Sequence, residues 1–99
     1  MKPPSDCVDM EDIRTAIDAI DYDIITLLGK RFAYVKAAAA FKTSSSSVRA
    51  PERFQAMLAQ RRQWAEAHGL SPEVIENLYQ DLVNYFIAEE LQEWEGRQG

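Results

Sequence analysis

Three cations lie at helix positions where a positive charge is normally disfavoured. Arg31 and Val35 share the apolar face of a long amphipathic segment, and Lys42 follows Arg31 by eleven residues, about three turns later at nearly the same angle. Arg53 stands at the start of a second segment, where a cation opposes the helix dipole unless an anion is bound there. Because an unpaired buried charge is costly, these positions predict a site for a small anion or for a carboxylate partner.

Glu90 is a carboxylate on the apolar face of a third segment. It lies three residues after Ile87 and four after Phe86, so helical spacing turns it inward. Two interpretations stay open: Glu90 forms a structural ion pair with Arg31 or Arg53, or it belongs to the same anion site.

Arg14 adds a geometric condition. It lies on the first segment, 17 residues before Arg31, which is about 25 Å along one helix. A small anion cannot touch both side chains from one straight helix, whereas an antiparallel copy from a second chain could bring them together. If Arg14 is functional, the site is therefore shared between two chains.

Other kinds of chemistry find little support in the sequence. His68 is the only histidine and lies at a predicted helix end, so no Ser/His/Asp or Cys/His arrangement is supported. Cys7 is the only cysteine, which excludes an internal disulfide and a multi-cysteine metal site. Glycine-rich phosphate loops and acidic clusters with ligand spacing are also missing from the sequence. We therefore expect no metal and no cofactor.

Length and charge limit the class of protein. A chain of 99 residues predicts one domain, 1–99. The net charge of −5 argues against nucleic acid, although residues 30–62 carry eight cations and one carboxylate. A local cationic region of this kind favours a small anionic ligand. The first residues have no apolar signal region and no segment is apolar enough to span a membrane, so we expect a cytoplasmic protein with no membrane partner.

The elements that must position these residues are helices. The first is predicted from about Asp9 to about Phe41, the second from Pro51 to His68-Gly69, and the third from Pro72, with fraying after Trp94. Residues 43–50 are serine-rich and are predicted to be a mobile loop. A first helix about 45 Å long exceeds the width of a domain of this size, so its apolar stripe requires a partner chain.

Taken together, these residues resemble the all-helical chorismate mutase family over essentially the whole chain. The resemblance rests on the four cations and on the stretches DIRTAIDAIDYDIITLLGKR, YVKAAAAFK, APERF and IAEEL. Within the family, these stretches look most similar to the isochorismate-pyruvate lyases, which make salicylate for siderophore pathways. The resemblance implies an all-α fold with three helices per chain and an intertwined homodimer with two equivalent sites.

The resemblance also implies roles for individual residues. Arg14 of one chain would join Arg31, Lys42 and Arg53 of the other around a small dianionic substrate. The arginines would hold its two carboxylates, and Lys42 would contact the ether oxygen of the bond that breaks. The apolar walls would be Val35, Met57 and Ile87. Catalysis would be pericyclic. Because Lys42 borders the serine-rich segment, we also predict that residues 43–50 order over the bound substrate as a lid.

Two positions depart from the family pattern. Glu90 stands where the related lyases usually have glutamine, and only its protonated form can donate a hydrogen bond to the substrate. We therefore expect either a neutral Glu90 or an ionised one neutralised by Arg31 or Arg53. Phe54 follows Arg53 where many mutases have a glutamate that accepts from the ring hydroxyl of chorismate, which favours isochorismate. A chorismate mutase and a non-catalytic helical dimerisation or regulatory module remain the alternatives.

Overall fold

The computed structural model describes residues 2–98 and is all-helical over that range. Its α-helices are α1 (Met10–Ala38), α2 (Ser45–Arg49), α3 (Pro51–Ala67) and α4 (Pro72–Gln98). Short 3-10 helices cover Pro4–Asp6 and Ala39–Phe41. The three long helices confirm the predicted all-α class. The chain forms two compact units, one up to Tyr34 and one from Val35 on, with the boundary inside α1.

In the first unit, side chains near the N-terminus fix the start of α1. Asp9 caps the helix, since its Oδ1 accepts from the backbone N–H of Asp12 at 2.9 Å. The carboxylate of Asp12 accepts from the Val8 N–H and from Lys2 Nζ, both at 3.0 Å. The Val8 hydrogen bond, followed by that of Lys2, lowers the pKa of Asp12 below its usual value.

The apolar face of α1 is incompletely covered within one chain. Its large aliphatic side chains are about half exposed, as the values for Ile17 (51%), Ile24 (48%) and Leu27 (60%) indicate. Contiguous exposed apolar surface of this kind is rare on a monomeric protein and is typical of an interface. This exposure agrees with the prediction that one chain cannot cover the stripe of its first helix.

In the second unit, α3 and α4 form a helical hairpin with well-defined ends. Gly69 adopts φ +73°, and α3 ends in a Schellman motif. The Gly69 N–H donates to the carbonyl of Glu66 at 3.2 Å, and the Leu70 N–H donates to the carbonyl of Ala65 at 2.8 Å. Ser71 caps α4 through its hydroxyl, which accepts from the Val74 N–H at 3.3 Å. Both ends match the sequence prediction, because glycine tolerates the left-handed conformation and serine the capping position.

The core of the second unit lies between α3 and α4. Its buried centre comprises Met57, Leu58 and Val83. The partly buried side chains around it are Phe54, Tyr79 and Ile87. Outside this cluster, Ala39 and Val48 are also buried, at 1% and 3% exposure. The 3-10 turn Ala39–Phe41 and α2 both pack against α4, so α4 supports these two elements as well as α3.

The segment predicted as a mobile loop folds instead, and that prediction was wrong in its local structure. Ser44 and Ser47 form a capping box around α2, with the Ser47 N–H donating to Ser44 Oγ at 3.1 Å. The serines that made the segment look unstructured are the residues that start this helix, and Val48 provides its buried contact. Fraying after Trp94 was also wrong: α4 continues to Gln98, with Arg97 beside Glu93 at 3.6 Å.

None of the helices among the described residues has the length and apolar content needed to cross a membrane.

Candidate functional site

Glu90 is a buried charged side chain of the second unit, with 6% exposure. It lies on α4, and its burial agrees with the inward orientation that its spacing predicted. Burial raises the pKa of the Glu90 carboxyl above its usual value, and the nearby positive charge of Lys42 opposes part of that rise. Removal from water therefore favours the protonated acid, which can donate a hydrogen bond as well as accept one.

Lys42 is held in a defined place by its own backbone and side chain. It follows the 3-10 turn Ala39–Phe41 in an extended conformation (φ −89°, ψ 142°). Its ammonium donates to the carbonyl oxygen of Ser47 at 3.1 Å, and its carbonyl oxygen accepts from the indole Nε1–H of Trp94 at 3.0 Å. The half-buried side chain therefore folds back onto α2 while the backbone is attached to α4.

Two of the predicted apolar wall residues belong to the α3–α4 core. Met57 is buried on α3, and Ile87 packs against the cluster that contains it. Val35 is half-buried near the end of α1. Ile87 precedes Glu90 by three residues on α4, so the two side chains share a helix face. The structure therefore places the inward carboxyl next to apolar side chains, which is the environment that favours its neutral form.

Arg53 is exposed on the first turn of α3. The residue before this helix, Ala50, has no side-chain oxygen and adopts φ 39°, so α3 begins without a side-chain cap. Phe54 is half-buried and packs against the core. The cation whose charge acts on Glu90 is Lys42 and not Arg53, so the structure gives no support to a Glu90–Arg53 ion pair.

Arg14 and Arg31 lie on α1 in the first unit. Arg14 is exposed, and Arg31 is half-buried and makes contacts of its own. Both belong to one continuous helix, Met10–Ala38, so their separation remains about 25 Å. A single chain does not bring these two arginines together.

Two groups that determine where Lys42 lies were not predicted from the sequence. The carbonyl of Ser47 is fixed by the capping box of α2, and the indole of Trp94 donates to the Lys42 carbonyl oxygen. The signal for Trp94 was its position four residues after Glu90, which places both on one face of α4. The indole hydrogen bond joins residues 52 positions apart, so nothing local in the sequence predicts it.

The chemistry available in the second unit is hydrogen-bond donation and positive charge. The Lys42 ammonium is a donor, and the Glu90 carboxyl is a donor whenever it holds its proton, which its burial favours. Such donors suit oxygen atoms that carry or develop negative charge. Within residues 2–98 no group of three histidine, cysteine, aspartate or glutamate side chains lies close enough to hold a metal ion.

Comparisons with known proteins match this chain over most or all of its length. The family model described as chorismate mutase type II matches residues 13–91, a range that includes all four cations and Glu90. The isochorismate pyruvate lyase of Pseudomonas aeruginosa is 46% identical over 99 residues, covering 100% of this chain and 98% of the relative. The T-protein of Haemophilus influenzae is 34% identical over 84 residues, which are 84% of this chain but 22% of that protein. The chain thus belongs to the chorismate mutase type II family.

Proposed function

We propose that this protein is an isochorismate-pyruvate lyase, which converts isochorismate to salicylate and pyruvate. The observation that carries the proposal is the match, over the whole chain, to a relative named for that activity. The burial of Glu90 near the positive charge of Lys42 supports it. Burial raises the pKa of the Glu90 carboxyl, and the protonated carboxyl and the ammonium can each donate to an oxygen that gains negative charge.

The reaction needs no nucleophile in this proposal. The ether C–O bond of isochorismate breaks, and a ring hydrogen moves to the enolpyruvyl carbon that becomes the methyl group of pyruvate. The ring then becomes aromatic as salicylate. The protein holds the flexible dianion in its compact reactive shape, and Lys42 stabilises the charge that develops on the ether oxygen. A protonated Glu90 donates a second hydrogen bond to the substrate.

The site of this proposal is built from two chains. Arg14 of one chain lies beside Arg31, Lys42 and Arg53 of the other, and the three arginines bind the two carboxylates of the substrate. The half-exposed apolar face of α1 supports a homodimer, since a second copy would bury it. Val35, Met57 and Ile87 are the apolar walls. These roles, the dimer and the cytoplasmic location remain proposals.

The segment 43–50 keeps its proposed role as a lid, but as a folded element. The α2 turn moves with its capping box intact, and Lys42 transfers its hydrogen bond from the Ser47 carbonyl to the substrate.

Chorismate mutase activity, which converts chorismate to prephenate, is the second candidate because the family model carries that name. Phe54 argues against it as the main activity, since the side chain next to Arg53 packs into the core and offers no acceptor for a ring hydroxyl. A non-catalytic dimerisation module is the third candidate.

Incubating the purified protein separately with isochorismate and chorismate tests the proposed function. We expect isochorismate to yield salicylate, read by its fluorescence, faster than chorismate yields prephenate. Faster turnover of chorismate would make the protein a mutase, and no turnover of either substrate would favour the dimerisation module.

Replacing Lys42 tests its catalytic role. Lys42→Ala should lower kcat about 10²- to 10³-fold, because a positioned donor to a developing charge is worth that factor. The Kd of salicylate should rise much less. Arg97→Ala, which removes an exposed cation near the end of α4, is the matched control and should retain activity. Equal losses in kcat and in salicylate binding would make Lys42 a binding group only.

The raised pKa of Glu90 predicts how activity depends on pH. The acid is protonated, and able to donate, below its pKa, which lies above the usual 4.5. As pH rises through that pKa the proton is lost, the carboxylate repels the dianion, and kcat/KM falls. Glu90→Gln keeps a donor without titrating, so its kcat/KM should stay flat over that range. The neighbouring Glu89→Gln should keep the wild-type profile, and identical profiles for wild type and Glu90→Gln would exclude this role.

Mixing two inactive variants tests whether the site is shared. Arg14→Ala and Arg31→Ala should each be inactive. Unfolding and refolding them together should recover about a quarter of wild-type activity, because half of the dimers would be mixed and each would hold one intact site. Refolding each variant alone is the control. A site built within one chain predicts no recovery in the mixture.

A further inference from the structure

We propose that Trp94 is a positioning residue for Lys42, and that its indole N–H fixes the backbone from which the Lys42 ammonium reaches the substrate. This inference rests on the proposed function, because it assigns Lys42 to the reacting oxygen. It adds a residue that touches neither substrate nor reacting atoms.

The hydrogen bond from Trp94 Nε1 to the Lys42 carbonyl oxygen measures 3.0 Å and is partly buried. It joins the C-terminal part of α4 to the short connection between α1 and α2. A partly buried backbone carbonyl needs a donor, and the indole N–H has no other role than donation. The hydrogen bond therefore satisfies both groups and connects the Lys42 backbone directly to α4.

The flanking chain explains why Lys42 needs this attachment. Its nearest buried anchors are Ala39, three residues earlier, and Val48, six residues later. Its neighbours Phe41 and Thr43 are exposed, and its own N–H donates to Ala39 at 3.3 Å within the 3-10 turn. Trp94 is thus the contact that links Lys42 to α4 between the two buried anchors.

Glu90 and Trp94 lie on the same face of α4, so this helix fixes where Lys42 lies relative to Glu90. Trp94 follows Glu90 by four residues, so one turn of helix separates the indole that holds the Lys42 backbone from the carboxyl that senses its charge. A shift of the Lys42 backbone by about 1 Å would move the ammonium relative to the substrate, and misplacement of that size can cost about 10²-fold in rate.

A packing role for Trp94 makes a different prediction from a positioning role. Trp94→Phe keeps an aromatic ring and removes the N–H. If Trp94 only packs, the substitution should lower the free energy of unfolding and change KM and kcat together. If Trp94 positions Lys42, the substitution should lower kcat and reduce the local order around Lys42. Trp64→Phe, at an exposed tryptophan of α3 (51%), is the matched control.

The test compares wild type, W94F and W64F by steady-state kinetics with isochorismate, denaturant unfolding and amide hydrogen exchange. We expect W94F to lower kcat about 10-fold, the factor that corresponds to a net hydrogen bond of ordinary strength, with KM changed less than about twofold. Exchange should become faster at residues 39–48 and stay unchanged around Leu58 and Val83. In the Lys42→Ala background, W94F should have no further effect on kcat.

Three results would overturn the inference in an active protein. The first is that W94F behaves like W64F in both hydrogen exchange and kcat. The second is that W94F exchanges faster at residues 39–48 but keeps the wild-type kcat. The third is that W94F lowers kcat by the same factor in the Lys42→Ala background as in wild type. If W94F does not fold, Trp94→Tyr replaces it, since tyrosine fills more of the site and carries its hydroxyl at a different position from the indole N–H. A wild-type chain inactive on isochorismate and chorismate overturns the proposed function itself, which is a distinct result.

Discussion

The second unit depends on the cost of taking the Glu90 carboxyl out of water. An ionised carboxylate is strongly disfavoured in an apolar environment, and a group so placed either pairs with a cation or keeps its proton. Here burial has the larger influence on the pKa of Glu90 and raises it, whereas the charge of Lys42 has the smaller influence and lowers it. The same desolvation raises the pKa of Glu90 and so favours the protonated form, which can donate a hydrogen bond.

Helix α4 determines most of this environment. It carries Glu90 and Trp94 on one face, contributes Val83 and Ile87 to the core, and packs against both the 3-10 turn and α2. One rigid element therefore supports the acid, the apolar surroundings and the attachment of Lys42. Groups held on a packed helix keep a more constant geometry than groups on loops, which is what electrostatic stabilisation of a short-lived charge requires.

The first unit presents a different constraint. Arg14 and Arg31 are fixed on one straight helix at a separation that no small ligand spans, and the apolar side chains between them are half exposed. Both features agree with the proposed homodimer, in which a second copy packs along α1. That copy would bury the apolar face and bring an arginine from the other chain to each site.

The sequence by itself determined the helical class, the end of α3, the start of α4, and the inward orientation of Glu90. Those features follow from local rules: helical spacing of apolar residues, a serine at an N-cap, and a glycine where the backbone turns left-handed, as Ser71 and Gly69 illustrate. Only the tertiary structure decided that residues 45–49 fold, because a serine-rich composition suits a capping box as well as a disordered loop until Val48 finds a buried site. It also decided where Lys42 lies, since its partners Ser47 and Trp94 are chosen by the packing of α2 and α4 and not by any spacing along the chain.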